Sequence, residues 1–269
     1  MQNKKRFISF SGGVESTTMC LLYGKGATAI WVDTGAEHHE MYERIDYCEK
    51  VLTEYHNGDF KLIRLKPSVK VKGEIVETLQ DAIIKWQYVP TVRLRWCTGK
   101  FKIIPIDNFL SKQGDCELMI GFNADEEQGE DRTGNFMQCT NVRYTYPLYD
   151  DGLNRTECEN ILIEHGLHPN FPIYMKRGGC WMCIFKDIPQ YKAIYIFDRD
   201  ITWPKLKNLE RDFQGTRKRF FPILAHTGMS MQMIEDEVER EISLWGLEEV
   251  KKMYASVTQK QACGAFCHR

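Results

Sequence analysis

The stretch Ser11-Gly12-Gly13-Val14-Glu15-Ser16-Thr17 constrains this chain more than any other. It lies between a short apolar run, Phe7-Ile8-Ser9-Phe10, and a helical pattern carrying Thr17, Met19, Leu21 and Leu22. The order reads as strand, tight glycine turn, helix. Gly12 and Gly13 permit backbone angles that a residue with a Cβ resists, so successive N–H groups can converge on an anion. The start of the following helix adds free N–H donors and a partial positive charge. The hydroxyls of Ser11, Ser16 and Thr17 are available to the same anion oxygens. No Gly-Lys-Ser/Thr follows, so the loop is not of the Walker type. On these residues alone two readings stand side by side: a phosphate loop, and an ordinary strand-to-helix turn capped by Ser16.

The segments downstream repeat the same alternation. Ala27–Val32 is a buried-type strand that runs into Asp33-Thr34-Gly35, and a helix is expected from about Met41 to Tyr55. Phe60–Leu65 and Glu117–Phe122 read as further strands, the last closing on Gly121. Strands alternating with helices predict an α/β fold, a mostly parallel sheet with helices on both faces. In such a sheet ligands bind at the carboxyl ends of the strands, and Ser11, Asp33 and Gly121 all fall at such ends. The pattern changes near residue 150. A helix is expected over Thr156–His165, a turn over Pro169–Pro172 and a glycine–cysteine loop over Lys176–Cys183. Mostly helices follow, with breaks near Pro204, Pro222 and Gly228. The expected division is a nucleotide-binding α/β domain over residues 1–150, with a cysteine-loop and helical C-terminal region over residues 151–269 packed on it.

Composition narrows the setting. A formal net charge of -1 speaks against a general nucleic-acid binder while leaving room for a local basic patch. No run approaches the roughly 18 apolar residues of a membrane span, and no apolar stretch follows the basic N-terminus as a secretory signal would require. With ten cysteines, this points to a reducing, cytoplasmic setting, where cysteines serve as thiols, metal ligands or catalytic groups. Cys20, Cys48, Cys116 and Cys158 sit singly in helical or strand-like surroundings and are expected to be small buried hydrophobes.

Several stretches, in order along residues 6–186, carry a family resemblance. Ser-Gly-Gly-x-x-Ser after a first strand resembles the PP-loop of the adenine nucleotide α-hydrolase superfamily. Trp31-Val32-Asp33-Thr34-Gly35-Ala36-Glu37 resembles the second-strand motif of its phosphoadenylyl-sulfate reductase-like branch. Arg95-Trp96-Cys97-Thr98-Gly99-Lys100 through Pro105 resembles its cysteine–basic–proline segment, and Gly121 through Arg132 its glycine–acidic–arginine segment. Tyr146-Pro147-Leu148, with Tyr174 through Cys183, resembles the end of its core. The resemblance implies a PP-loop fold that binds ATP or a related adenine nucleotide. Ser11, Gly12, Gly13, Glu15, Ser16 and Thr17 would lie at the phosphates, Asp33 and Gly35 would border the adenosine, and Gly121 would close the site. Relatives usually carry Asp where this chain has Glu15, a position that helps hold magnesium. Arg132, which ends the glycine–acidic–arginine segment, would by the same resemblance be a candidate catalytic residue.

Cys180-x-x-Cys183 follows Gly178-Gly179 in a loop able to curl around a bound centre. Two thiolates at this spacing suit a metal or cluster, with Cys97 as a third ligand if the two segments meet. The resemblance implies a 4Fe–4S cluster held by Cys97, Cys180 and Cys183, although the family's usual adjacent cysteine is replaced by Thr98. Zinc with a fourth ligand from elsewhere is the alternative. The tail around Lys260-Gln261-Ala262-Cys263-Gly264 resembles the reductases' catalytic Lys-x-Glu-Cys-Gly-x-His segment, with Ala262 in place of Glu. Cys263 is therefore a candidate nucleophile, with a frayed, inert tail as its alternative, and Cys263, Cys267 and His268 could also close the metal site. Basic residues around Cys97, and from Lys205 to Arg219 with Trp203, Phe213, Phe220 and Phe221 between them, read either as anion-facing groups or as amphipathic helix faces over a core.

Three functions follow. The first is ATP-dependent adenylation with sulfur transfer through the cysteine centre. The second is reduction of phosphoadenylyl or adenylyl sulfate by Cys263. The third is a non-catalytic nucleotide-binding subunit of a nucleic-acid-modifying system. Their partners would be a nucleic-acid acceptor or a thiol-protein reductant, and a homodimer is among the assemblies they allow.

Overall fold

The computed structural model describes residues 4–126, 139–175, 178–215, 220–224 and 227–259. At its centre β1 (Lys5–Ser9), β2 (Thr28–Val32), β3 (Lys61–Leu65), β6 (Cys116–Met119) and β7 (Val142–Thr145) form one parallel sheet in the order β3-β2-β1-β6-β7. Its pairs are in register at Phe7 with Thr28, Phe7 with Leu118, and Leu118 with Tyr144. Alternation along each strand divides the core between two faces. Ile8, Ala29, Trp31 and Met119 pack with helices α1 (Val14–Tyr23) and α2 (His39–Tyr55), together with Cys158 and Leu162 of Arg155–Glu164. Phe7, Ile30, Cys116 and Leu118 face the other way, onto Leu110, Ile106 and Phe109. The expected fold class, a parallel sheet with helices on both faces and further helices toward the C-terminus, is the one observed.

Details depart from the expectation for local reasons. A two-stranded antiparallel hairpin, β4 (Val69–Val71) and β5 (Glu74–Val76), escaped notice because each strand has only three residues. The helix Leu79–Trp86 begins at Thr78, whose side chain accepts a hydrogen bond from the Asp81 N–H. The C-terminal helices span Ile188–Phe197, Thr202–Gln214, Met231–Trp245 and Leu247–Gln259. The expected break at Pro204 lies earlier, around Asp198, because Pro204 sits in the first turn of its helix, where the missing N–H costs nothing. These helices share one core, around Tyr191, Tyr195, Phe213, Ile234 and Val238, with the hairpin, the helix Leu79–Trp86 and Trp181 of the cysteine loop. Within it the Lys192 ammonium is held by Glu237 at 2.9 Å and Glu241 at 2.7 Å.

Trp203 and Phe213 are buried, and Lys207 pairs with Glu235 at 2.7 Å. Over Thr202–Gln214 the basic–aromatic run is thus an amphipathic helix over a core, while Phe220 and Phe221 beyond it are exposed. Cys20, Cys48, Cys116 and Cys158 are fully buried, as expected of packing residues. No helix among the described residues is long and apolar enough to cross a membrane.

Candidate functional site

Strand β1 has β2 on one side and β6 on the other, so the chain winds away from it in both directions and leaves a crevice at its carboxyl end. The Ser11 loop sits there. Gly12 takes φ +73°, and a Cβ on it would lie 3.0 Å from Ile45 Cδ1 and from Met41 Cε, so both conformation and space call for glycine. Gly13 occupies the N-cap of α1 with no side-chain cap. The first intrahelical bond runs from the Thr17 N–H to the Gly13 carbonyl at 3.0 Å, which leaves the N–H groups of the first turn to a ligand. The loop is held closed by its own hydroxyls. Ser11 N–H donates to Ser16 Oγ at 3.1 Å, and the two Oγ atoms are 3.0 Å apart. Arg44 of α2 braces it from behind, donating to the Gly12 carbonyl at 3.3 Å and to Thr17 Oγ1 at 3.4 Å, and it also bonds the Leu167 carbonyl.

The neighbouring strand ends supply the flanks. Asp33 Oδ1 accepts from the Gly35 N–H at 2.9 Å and from the Tyr42 hydroxyl at 2.8 Å, which pins the turn after β2. Gly35 has φ +71°, and a Cβ there would sit 2.8 Å from Thr78 Cγ2. Beyond β6, a Cβ on Gly121 would come within 3.1 Å of Glu15 Cβ, so this glycine lets the loop close against the start of α1. The three segments expected at one ligand site therefore do meet, on the adjacent strands β2, β1 and β6.

Glu15 is where the arrangement departs from expectation. Its side chain is buried, and its Oε1 accepts from Arg155 Nη1 at 2.5 Å and from Asn123 Nδ2 at 3.1 Å. A carboxylate already neutralised by a guanidinium does not fit a magnesium ligand, because the cation would have to displace or face Arg155. Glu15 instead ties α1 to the loop after β6 and to the helix Arg155–Glu164. Neither Arg155 nor Arg44 stood out in the sequence. Both lie on helices remote from the loop in the chain, and only the packing of α2 and of Arg155–Glu164 against α1 turns them toward it.

The cysteine loop docks on the segment just after the Asp33 turn. Cys180 forms an antiparallel bridge with Glu37, Trp181 N–H donates to the Ala36 carbonyl at 3.0 Å, and His38 N–H donates to the Gly179 carbonyl at 3.2 Å. Cys97 reaches the same place from a short helix, Trp96–Thr98, that runs into a π-helical turn over Gly99–Ile103, a distortion frequent at functional sites. Arg95 stacks on Phe185 at 5.0 Å, which joins the Cys97 segment to the far side of the cysteine loop. Lys102 Nζ lies 3.7 Å from Glu37 Oε1. Glu37 raises the Lys102 ammonium, with further contributions from Cys180, Cys183 and Cys97. Burial raises the Cys97 thiol, with Cys183 adding to it, and burial raises Cys180 strongly, with Glu37 and Cys183 adding.

The three cysteines thus form one electrostatic cluster around Lys102. One tetrahedral zinc with Zn–S of about 2.3 Å needs sulfurs about 3.8 Å apart, whereas a multi-iron cluster lets each cysteine hold a different iron. Any such centre must displace thiol protons, and the Lys102 charge favours that step. Cys263 and Arg132, the expected catalytic residues, lie outside the described residues, as do Cys267 and His268.

His38, beside the cysteine loop, is fully buried, and burial pushes its imidazole down to about 2, with Lys186, His39 and Lys205 acting in the same direction. The unfolded chain binds a proton there below the usual histidine value while the native chain does not, so stability falls as pH falls through that value. Between pH 7 and pH 5 the expected loss from this residue is about 2 kcal/mol. Urea titrations at the two pH values should give a smaller difference for His38→Gln than for the parent, and an equal difference would refute this assignment.

A family model, the phosphoadenosine phosphosulfate reductase domain, matches residues 5–186 of the chain. No curated protein matches it.

Proposed function

The chain belongs to the phosphoadenosine phosphosulfate reductase domain family, a family of PP-loop nucleotide-binding enzymes of sulfur metabolism, and from that premise we propose the chemistry of this member. It binds ATP or a close relative in the Ser11–Thr17 loop and carries out ATP-dependent adenylation, followed by sulfur transfer at a centre held by Cys97, Cys180 and Cys183. The observation that supports this reading best is the docking of the cysteine loop, through Glu37 and Ala36, directly behind the Asp33 turn. Nucleotide and cysteine chemistry then share one end of the sheet.

In this reading the free N–H groups at the start of α1, with Ser11, Ser16 and Thr17, hold the phosphates and stabilise the charge that develops on them. Asp33 and Gly35 border the adenosine, and Gly121 closes the site beside α1. A nucleophilic atom of the acceptor attacks the α-phosphorus in line, a new bond to phosphorus forms, and the bridging oxygen departs with pyrophosphate. Magnesium would arrive with the nucleotide rather than on Glu15. When bound, an iron–sulfur cluster would supply an iron able to carry the sulfur, and the Lys102–Glu37 pair sets the charge around its ligands. The setting is cytoplasmic, with a nucleic acid as the acceptor class. A homodimer is the assembly, and a thiol-protein reductant would be needed only under the alternative reduction of an adenylyl sulfate by Cys263.

The test supplies the full-length protein with ATP, a sulfide donor and bulk RNA, and follows pyrophosphate release. Release that survives Cys263→Ser supports adenylation, and Cys180→Ser should keep it while losing RNA thiolation. Sulfite release from phosphoadenylyl sulfate that Cys263→Ser abolishes, with no pyrophosphate from ATP, would replace this reading by reductase chemistry. Tight ATP binding with neither product would leave a binding subunit.

A further inference from the structure

His39 and Glu40 open helix α2, and Asp198 caps the helix Ile188–Phe197 at its turn into Thr202–Gln214. Asp198 is far from His39 and Glu40 in the chain, yet one ligand atom from each lies within 4.8 Å of the others. Glu40 Oε1 is 3.2 Å from His39 Nε2 and also accepts from the Tyr174 hydroxyl. The remaining atoms have no such partners. His39 Nδ1, Glu40 Oε2 and Asp198 Oδ2 are buried without a hydrogen bond among the described residues. Asp198 as a whole is only 5% exposed. Next to them His38 is buried with both ring nitrogens unpartnered, its ring 5.8 Å from that of Tyr174.

Buried carboxylate oxygens without donors are costly, and more so when charged. One cation could be shared by a donor atom of each of the three residues, and we propose that His39, Glu40 and Asp198 form a second, non-thiolate binding site for a divalent transition-metal ion. An imidazole and two carboxylates make a borderline-to-hard donor set of the kind taken by zinc, cobalt, iron or manganese. Two carboxylate charges balance a divalent ion, and they outweigh the roughly half positive charge at the start of α2 that would oppose it. The His39 side chain is 35% exposed, which provides an entry path. The bound ion ties the start of α2, and with it the segment carrying the cysteine loop, to the C-terminal helices. The site is independent of the proposed sulfur chemistry, since none of its donors is a cysteine.

Titration of the metal-stripped full-length protein with Co2+, followed by absorption, separates the two donor chemistries. Thiolate ligation gives an intense near-ultraviolet charge-transfer band, whereas nitrogen and oxygen ligands give only weak visible bands. The expected result is one equivalent bound without the charge-transfer band. In His39→Ala and Asp198→Asn its affinity should fall at least tenfold, with any thiolate band unchanged. Circular dichroism checks that the variants fold. If they do not, the cobalt absorption edge of the loaded parent decides, with an oxygen shell containing imidazole expected. A parent that binds cobalt only through sulfur, or folded variants that bind the non-thiolate equivalent as tightly as the parent, would overturn the proposal.

Discussion

Gly12→Ala is expected to remove adenine-nucleotide binding almost entirely while leaving the chain folded. The substituted residue must adopt φ +73° and place its Cβ 3.0 Å from both Ile45 Cδ1 and Met41 Cε. Left-handed backbone costs a side-chain-bearing residue about 1–2 kcal/mol, and relief comes by shifting the loop. That shift misaligns N–H donors whose bonds to a charged phosphate contribute about 1.5–3 kcal/mol each. Losing the equivalent of two of them, about 3 kcal/mol at the low end, weakens binding roughly a hundredfold. Gly152→Ala is the control, because it takes φ +72° with nothing within 4 Å of the added Cβ. It should incur the backbone strain and keep nucleotide affinity. Calorimetric titration with ATP separates the two, and equal affinities for Gly12→Ala and the parent would show that the loop does not hold the phosphates.

Arg155→Met is expected to cost about 3 kcal/mol of stability, a large share of the 5–15 kcal/mol available to a typical domain. The two ends of this pair differ in exposure: the Glu15 side chain is 9% exposed and Arg155 40%. Removing the arginine therefore strands a buried carboxylate with Asn123 as its remaining named partner, whereas removing the acid leaves a guanidinium that can reach water. Glu15→Gln should accordingly cost less than Arg155→Met, and the double variant should recover most of the loss. Urea midpoints at constant m value measure this. A double variant as unstable as Arg155→Met alone would mean that packing of the arginine stem, not charge, carries the effect.

These two positions also mark what could be read in the chain before folding. The Ser11 loop, the Asp33 turn and Gly121 were legible because each combines a local chemical signal with a place at the end of a recognisable strand, and the parallel-sheet rule brings such ends together. The same rule predicts a crevice at these strand ends without any distance. Whether Cys97 would meet Cys180 and Cys183 was not legible, since nothing in the spacing from 97 to 180 states that the cysteine loop pairs with Glu37. The partner of Glu15 was not legible for a related reason. Its position in the loop motif suggested an ion ligand, while its partner Arg155 lies 140 positions away on a helix without a distinctive pattern. Nothing in the sequence singled out His39, Glu40 and Asp198, and their unpartnered buried atoms exist only in three dimensions. The short β4–β5 hairpin and the early break before Pro204 fall below the length at which periodicity is informative.

The central claim is that a nucleotide loop and a cysteine-held centre share one end of the sheet. Anaerobic purification followed by iron, zinc and acid-labile sulfide analysis, with a visible spectrum, tests it most directly. The account predicts iron and labile sulfide bound to the parent, and their loss in Cys97→Ser, Cys180→Ser and Cys183→Ser. A protein that carries neither iron nor sulfide, or that keeps both in all three variants, would contradict it.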